Sequence, residues 1–410
     1  MSDPRTDPLR ETTPDHAMRE AHQDTRIVHV GHHPFDHHGA VNPPVYHAST
    51  ITFPTVDNLK EKQARKLDTV YYGRMGTPTT QALDQAVADL EGGRWCVSVC
   101  SGMAAVTCAL MALLKAGDHL LMVDSVYWPT RSLCDTLLCN MGIKTTYYDP
   151  SADGPTITAL MRPETRVVFL ESPGSLTFET QDVAAIAAAA HEGGAQVLLD
   201  NTWASPILFK PFDHGVDLSI QAATKYIVGH SDAMLGTVTM TDRALFERVK
   251  ITAIQLGHSV GAEEAYLGLR GLRTLAVRLR QHEANGLRVA RWLQTRPEVA
   301  RVLHPALPED PGHALWARDF SGACGLFGVL LKAGPSPAAL AAFLDGLALF
   351  RMGFSWGGYE SLIIDTTQSI IRTASAWTHD GPSLRLHVGL EDPADLIADL
   401  EAGFARMAMG

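Results

Sequence analysis

From about residue 95, short apolar runs of strand length alternate with stretches that have a helical pattern. Helices are predicted from Gly102 and over 130–141, and the apolar runs are CVSV, HLLMV, KTTYY, RVVFL, VLLD, DLSIQ and MLGTVTM. Alternation of this kind is typical of an α/β fold with a mostly parallel central sheet and helices on both faces. After about residue 260 a long helix-compatible segment leads to the strand-like pieces ACGLFGVLLK and SLRLHVGL.

The pattern therefore divides the chain into three parts. We predict an N-terminal arm over 1–75, an α/β domain over 76–270 and a smaller C-terminal α/β domain over 271–410. The arm contains the stretch HVGHHPFDHHG, whose imidazoles could bind a metal. Because these histidines have no regular ligand spacing on a predicted helix, we prefer a solvated arm and predict no metal there; the residues concerned are His32, His33, His37 and His38.

Composition narrows the class of protein. The 410 residues are 46% hydrophobic and carry a formal net charge of -11, which indicates a folded globular chain and argues against a nucleic-acid partner. The six cysteines form no C-x-x-C pair. We therefore expect each of them to be a small buried apolar side chain, in a protein that stays in a reducing compartment. The polar N-terminal stretch MSDPRTDPLRETTPDH predicts no signal peptide, and a cytoplasmic location is expected.

One uncharged run, Trp95 to Leu114, is long enough to suggest a membrane helix. Its first residues alternate, Ser101-Gly102 interrupts it, and an Ala-, Leu- and Met-rich helical pattern follows. A buried strand, a tight turn and a buried helix explain the run better. We therefore expect no membrane partner.

Polar or special residues follow the predicted strands at their carboxyl ends, where sheets of this class bind ligands. The most informative is Lys225 in SIQAATKYIVGHSD. Burial there disfavours the ammonium form and lowers the pKa from about 10.4, which leaves a nucleophilic amine. Such an amine can form a Schiff base with an aldehyde cofactor, and pyridoxal phosphate is the common one.

That cofactor has three further requirements, and the sequence offers a residue for each. Asp200, at the end of VLLD, can keep the pyridine nitrogen protonated. The backbone at Gly102 and Met103 opens a helix directly after a strand, as phosphate binding requires. Tyr127, in the turn after HLLMV, offers a face for ring stacking. Each signal alone is weak, but together they favour a pyridoxal-phosphate site.

The strings DNTWASPILFKP and SIQAATKYIVGHSDAMLGT resemble the trans-sulfuration family of fold type I pyridoxal-phosphate enzymes. The resemblance covers about residues 28 to 408. It implies the fold type I transferase-like architecture, pyridoxal 5'-phosphate as cofactor, an amino-acid substrate, and a homotetramer built from dimers.

Three features resemble the β-cleaving members rather than the γ-acting ones. ESPGSL places Ser175 where the γ-acting enzymes tend to have Asn, SWGGYESL carries Trp356 and Tyr359, and DNTWA carries Trp203. The resemblance then implies a carbon–sulfur β-lyase that cleaves L-cystathionine to homocysteine, pyruvate and ammonia in methionine biosynthesis. A γ-lyase or γ-synthase reaction on the same scaffold is the near alternative.

The resemblance also implies roles for individual residues at the cofactor. Tyr72 and Arg74, in YGR, match residues that reach the phosphate of the neighbouring subunit's cofactor. Gly102, Met103 and Thr224 match phosphate ligands within the subunit. Several relatives have serine where this chain has Ala222, so phosphate binding is expected to depend more on the remaining contacts.

At the substrate, Arg385 matches the arginine that pairs with the α-carboxylate. Ser355 and Trp356 match residues beside that carboxylate, and Tyr266 matches a tyrosine that lines the distal part of the pocket. Lys225 is the expected general base, with Tyr127 orienting the substrate amine or relaying its proton.

Two other classes of protein stay open at this point. A Rossmann-type nucleotide binder would have the same βα series, but the chain lacks G-x-G-x-x-G after its first strand. A histidine-dependent metalloprotein would use the N-terminal histidines.

Overall fold

The structure is a computed structural model that describes residues 21–409. Its strands are β1 Trp95–Val99, β2 His119–Val123, β3 Lys144–Tyr148, β4 Thr165–Glu171, β5 Gln196–Asp200, β6 Leu218–Gln221, β7 Gly236–Met240, β8 Val299–Leu303, β9 Leu326–Leu331, β10 Leu362–Asp365 and β11 Ser383–His387. Its α-helices are α1 Gln23–His29, α2 Val56–Ala64, α3 Pro78–Glu91, α4 Gly102–Leu113, α5 Trp128–Leu133, α6 Gly154–Leu160, α7 Val183–Glu192, α8 Ser205–Leu208, α9 Arg243–Gln255, α10 Ala262–Leu272, α11 Leu275–Gln294, α12 His313–Asp319, α13 Pro337–Asp345 and α14 Pro393–Met409.

Seven strands form one large sheet in the order β1-β7-β6-β5-β4-β2-β3. Strand β7 runs antiparallel to both of its neighbours, and the remaining pairs are parallel. A second sheet of four antiparallel strands has the order β10-β11-β9-β8. The predicted α/β class with a mostly parallel central sheet and a smaller C-terminal unit is confirmed.

The apolar runs become strands because helices cover the large sheet on both faces. Every residue of β2 is buried, and so are the three central residues of β5. Strands buried on both faces have continuous apolar sequences rather than alternating ones. The run from Trp95 to Leu114 folds as β1 and α4, and the Ser101 side chain caps the helix by accepting from the amide of Ala104 at 3.1 Å.

Within residues 21–409, no helix is both long enough and apolar enough to cross a membrane.

Two helix boundaries differ from the sequence prediction. The helix expected over 130–141 is α5 followed by a π-helical segment, Cys134–Leu138. The long helix-compatible segment is two helices, because the amides of Arg273 and Thr274 bond three residues back, to Arg270 and Gly271, and end α10. Residues 222–235, between β6 and β7, are here called the lysine loop because they contain Lys225. Gly271 packs on the backbone of this loop, and a Cβ at position 271 would clash with the carbonyl oxygen of Ile227.

Two hydrophobic cores underlie the two sheets. The larger surrounds the seven-stranded sheet, and the smaller packs α13 and α14 against the four-stranded sheet. Trp203 links the two units, since its indole N–H donates to the carbonyl of Leu326 on β9 at 3.0 Å. The predicted boundaries at 75/76 and 270/271 stay predictions; the second falls inside α10, and residues 1–20 of the predicted arm lie outside the described residues.

Four cysteines are buried as expected, but Cys100 and Cys139 are exposed. For these two residues the prediction of a buried hydrophobe was wrong. Cys100 follows the last residue of β1, and Cys139 follows the π-helical segment.

Candidate active site

The carboxyl ends of the parallel strands bring the expected polar residues to one edge of the large sheet. Glu171 and Asp200 are the last residues of β4 and β5 and are paired in register. Tyr127 directly precedes α5, in the turn after β2, and its backbone N–H donates to Glu171 Oε2 at 2.7 Å. Burial, and secondly the charge of Asp200, raises the pKa of the Glu171 carboxyl well above its ordinary value. The Tyr127 side chain stays 44% exposed at this edge.

Asp200 is oriented by the threonine that follows it in the DNTWA motif. Its Oδ1 accepts from the backbone N–H of Thr202 at 3.0 Å and from the Thr202 hydroxyl at 2.5 Å. The same hydroxyl oxygen accepts from the amide of Ala222 at 2.9 Å, which ties β5 to the lysine loop. Burial raises the pKa of the Asp200 carboxyl, while Thr202 and the charge of Lys225 oppose the rise.

Lys225 lies in a turn after β6, four residues beyond the strand's last residue, Gln221, rather than at the strand end itself. Its Nζ donates to Ser355 Oγ at 2.6 Å and lies 5.3 Å from the ring centroid of Trp356. Desolvation by burial lowers the pKa of the amine to about 8, and the charge of Arg385 adds to this. A part-buried lysine amine with a lowered pKa agrees with the sequence prediction, and its role in catalysis stays a prediction.

Ser355 lies between Lys225 and Arg385. Its hydroxyl accepts from Lys225, and its carbonyl oxygen accepts from Arg385 Nη2 at 3.1 Å. Ser355 has a φ of +79°, a backbone conformation that costs a non-glycine residue about 1–3 kcal/mol. Gly357, two residues on, is needed for close approach, because a Cβ there would lie 2.9 Å from the backbone of Tyr226.

Arg385 enters the site from β11 of the smaller sheet. Desolvation by burial lowers the pKa of its guanidinium to about 10. Within residues 21–409, no carboxylate lies within ion-pair distance of it. A part-buried, desolvated guanidinium of this kind is suited to a carboxylate supplied by a ligand.

The start of α4 lies beside the lysine loop. A Cβ on Gly102 would lie 2.6 Å from the Cβ of Ala222, so glycine permits this approach. Among the residues that the structure describes, the amides of Gly102 and Met103 have no acceptor. The Thr224 hydroxyl, in contrast, is already bonded to the backbone of Leu235: it donates to the carbonyl at 3.1 Å and accepts from the amide at 2.9 Å.

Three predicted residues lie apart from this group within the chain. Tyr72 is 41% exposed. Arg74 is also exposed, and its Nη1 donates to the carbonyl oxygen of Ile254 at 2.5 Å. Tyr266 lies half-buried on α10, and no hydrogen bond or ring contact within the described range joins it to Lys225 or Arg385. The roles of all three stay predictions.

Sequence reasoning missed two residues that shape the site. Thr202 orients Asp200, and its position two residues after an aspartate at a strand end is a recognisable side-chain turn signal. His387 holds the loop that carries Ser355: its Nε2 lies 3.2 Å from the amide nitrogen of Gly357 and 3.0 Å from the carbonyl oxygen of Gly358. No local pattern indicates this second contact, because the loop and β11 are distant in sequence.

The histidine-rich stretch makes ordinary contacts in the structure. His33 Nε2 lies 3.2 Å from Gln85 Oε1, and the ring centroids of His37 and Tyr46 are 6.3 Å apart. Across residues 21–409, no three His, Cys, Asp or Glu side chains are grouped as a metal ion requires.

Comparison with known proteins agrees with this geometry. The solved structure of cystathionine gamma synthase from Xanthomonas oryzae pv. oryzae, in complex with aminoacrylate and cysteine, has a TM-score of 0.87 and 34% identity, and the match covers 95% of this chain and 99% of that one. The architecture is therefore that of the fold type I pyridoxal-phosphate enzymes.

The family model described as Cys/Met metabolism PLP-dependent enzyme matches residues 24–405. The chain is 49% identical over 394 residues to a putative cystathionine beta-lyase of Rhizobium johnstonii, with 95% of this chain and 98% of that protein covered. It is 46% identical over 396 residues to cystathionine beta-lyase MetC of Escherichia coli, with 95% and 100% covered. The chain belongs to the Cys/Met metabolism family of PLP-dependent enzymes, which removes the nucleotide-binding alternative.

The residues at the sheet edge fit pyridoxal phosphate. A desolvated lysine amine, the aspartate that ends β5, and two helix N-terminal amides that have no acceptor within residues 21–409 lie at this edge. They match the aldehyde, the pyridine nitrogen and the phosphate of the cofactor.

We predict that burial of Lys225 costs stability in the cofactor-free protein. At a pH below about 8 the amine is protonated in both the folded and the unfolded chain, so the full cost is present; the cost falls as pH rises from about 8 to 10.5. Lys225→Met should raise the melting temperature at pH 7. The gain corresponds to at most about 3 kcal/mol of unfolding free energy and should shrink as pH rises from about 8 to 10.5.

Thermal unfolding of cofactor-free wild type and variant across this pH range checks the prediction. Lys332→Met, at an exposed lysine, is the matched control and should show no pH-dependent difference. A gain for Lys225→Met that stays constant with pH would show that the amine is not desolvated.

Proposed function

We propose that this chain is a PLP-dependent carbon–sulfur β-lyase that cleaves L-cystathionine to homocysteine, pyruvate and ammonia, as a step in methionine biosynthesis. The observation that carries the proposal is the arrangement at Ser355, which joins a desolvated lysine amine to an arginine without an acid partner. An α-amino acid carries its carboxylate and its acidic proton on the same carbon, Cα. A general base and a carboxylate-binding arginine on opposite sides of one serine suit that group.

Four parts of the chain would hold the cofactor. Asp200, oriented by Thr202, would pair with the pyridine nitrogen, and Tyr127 would lie against the ring. The amides of Gly102 and Met103 would bind the phosphate, assisted by Thr224 once its hydroxyl turns from Leu235. When bound, pyridoxal phosphate supplies a carbonyl carbon for the substrate amine and a ring that withdraws electrons from Cα.

Lys225 carries the proton transfers in this proposal. Its pKa of about 8 leaves a fraction of the amine neutral near pH 7, so Nζ can accept the Cα proton as a general base. The same nitrogen then donates a proton to the departing sulfur as the Cβ–S bond breaks, and homocysteine leaves. Water converts the remaining three-carbon fragment to pyruvate and ammonia.

Arg385, Ser355 and Trp356 position the substrate. The planar guanidinium binds the α-carboxylate as a fork, and Ser355 holds Lys225 at the correct side of Cα through its hydroxyl. The ring of Trp356 lies 5.3 Å from Lys225 Nζ and packs on Tyr226 at a centroid distance of 5.5 Å. Tyr127 orients the substrate amine, and Tyr266 lines the distal part of the pocket.

The choice of β- over γ-cleavage is supported by sequence rather than by the cofactor machinery, which serves both reactions. The relatives at 46% and 49% identity are named as β-lyases. The chain also carries Trp356 and Trp203 in the two motifs with the β-cleaving form. A γ-lyase or γ-synthase activity is the alternative.

We predict that incubation of L-cystathionine with the holoenzyme yields pyruvate and homocysteine in equal amounts. Lys225→Ala should abolish turnover, because the general base is lost. Product analysis by chromatography checks this. Cysteine with 2-oxobutyrate would instead support the γ alternative.

We further propose that the enzyme is a cytoplasmic homotetramer built as a dimer of dimers, with each site completed by Tyr72 and Arg74 of the neighbouring subunit. Support comes from their position: both side chains are exposed and lie apart from Lys225 within one chain. Arginine is suited to bidentate phosphate binding.

Shared sites predict complementation between two inactive variants. Lys225→Ala and Arg74→Ala homo-oligomers should each be nearly inactive. After random exchange about half of the dimers are mixed, and each mixed dimer has one intact site of two, so the whole mixture should regain up to about one quarter of wild-type activity. Activity after verified subunit exchange is the measurement. If exchange restores nothing, Arg74 acts within its own subunit or not at all.

A further inference from the structure

The proposed mechanism leaves unused one buried carboxylate at the sheet edge. Asp124 directly follows β2, three residues before Tyr127, and is 1% exposed. Its carboxylate accepts from Arg131 Nη2 at 2.5 Å, from the Thr373 hydroxyl at 3.0 Å, and from the backbone amides of Thr373, Ala374 and Ser375 at 2.8, 2.8 and 3.2 Å. Asp124 therefore holds a segment of the smaller unit against the larger one.

Arg131 and a second ion pair support the same contact. The Arg131 guanidinium is buried between Asp124 and the ring of Tyr147, with 3.6 Å from its central carbon to the ring centroid. On the other side of the segment, Arg372 Nη2 donates to the Thr177 hydroxyl at 2.5 Å and to Glu179 Oε1 at 2.7 Å. Residues 372–375, here called the bridging segment, are thus fixed to the loops that follow β2 and β4.

The bridging segment lies between β10 and β11, and β11 carries Arg385. The loop that follows β2 carries both Asp124 and Tyr127. One carboxylate therefore connects the large-sheet side of the site, which carries Lys225, with the small-sheet side, which carries Arg385; these are here called the two sides of the cleft. Burial alone would raise the pKa of the Asp124 carboxyl, but hydrogen bonds from Ala374, Thr373 and Arg131 hold it below its ordinary value. The carboxylate is therefore ionised at neutral pH, when its bonds to the segment are strongest.

We propose that Asp124 is a positioning residue that, through the bridging segment, sets the distance between the Arg385 side of the cleft and the Lys225 side, and so controls recognition of the substrate α-carboxylate. The inference rests on the proposed role of Arg385 as the carboxylate ligand. Asp124 itself contacts neither the cofactor residues nor Arg385 in the described part of the chain.

Two small probes separate the carboxylate contact from the rest of the site. L-alanine has the α-amine and α-carboxylate but no leaving group, and L-alaninamide lacks the negative charge. Their binding to the holoenzyme is measured from the change in the cofactor's absorption spectrum. Wild type should bind L-alanine at least about tenfold more tightly than the amide, because a charged hydrogen bond is lost in the amide.

The test variant is Asp124→Asn, which keeps the size of the side chain but places an N–H₂ where amides now donate. It should weaken L-alanine binding about 10- to 100-fold and leave L-alaninamide binding within about twofold, because Arg385 is misplaced while Lys225 and the cofactor residues are not. With L-cystathionine, KM should rise more than kcat falls. Hydrogen exchange of residues 372–375 should accelerate in the same variant.

Asp182→Asn is the matched control, because Asp182 forms an ion pair with Arg318 at 2.9 Å, with both side chains part-exposed and no contact to the bridging segment. It should change neither probe's affinity. If Asp124→Asn does not yield folded protein, Arg131→Gln removes the guanidinium but keeps the segment's amides on Asp124, and should shift L-alanine binding in the same direction by a smaller factor.

The outcomes distinguish the two levels of the proposal. A wild type that binds both probes equally would overturn the role of Arg385 and the inference with it. A wild type that discriminates, combined with an Asp124→Asn variant that binds both probes normally or weakens both equally, would overturn the inference about Asp124 alone.

Discussion

The partial burial of two cationic side chains, Lys225 and Arg385, on either side of Ser355 governs the chemistry of the site. Desolvation lowers the pKa of both Lys225 and Arg385, and the charge of Arg385 lowers the pKa of the Lys225 amine further. Without an acid in direct contact, such an arrangement is costly in the folded protein. Binding of an anionic ligand offsets this cost. The two cations therefore favour a substrate whose carboxylate lies close to the group that reacts at Lys225.

The surrounding structure keeps these two cations from reaching any of the nearby acids. Glu171 is occupied by the amide of Tyr127, Asp200 by Thr202, and Asp124 by Arg131 and the bridging segment. The strained backbone of Ser355 and the close approach at Gly357 hold the loop over Lys225. Each acid at the sheet edge thus has its own hydrogen-bond donors, which leaves the guanidinium of Arg385 available.

A lowered pKa does not by itself identify the functional lysine. The pKa of Lys210 is also lowered to about 8 by burial, yet its Nζ donates to the carbonyl oxygens of Leu90 and Pro206. Those contacts fix Lys210 as a structural residue at the end of α3. Lys225 instead bonds to a serine hydroxyl at the open edge of the sheet.

Much of this arrangement follows from sequence, because it is local. The apolar runs predicted the strands of the large sheet, and the order of βα units predicted that Asp200, Tyr127 and Lys225 meet at one edge. Antiparallel β7, the break at Thr274 and the exposed Cys100 depend on tertiary contacts that no local pattern encodes. The same is true of Asp124: its partners in the bridging segment lie about 250 residues away, so the sequence indicates a polar strand end but not the segment that it binds.

The proposed mechanism requires that the cofactor is bonded to Lys225 and not to Lys210, the other lysine with a lowered pKa. Sodium borohydride reduction of the holoenzyme makes the bond between cofactor and lysine permanent, and peptide mass mapping then locates the label. We expect a single labelled peptide that contains Lys225. Label on Lys210, or on neither lysine, would contradict it.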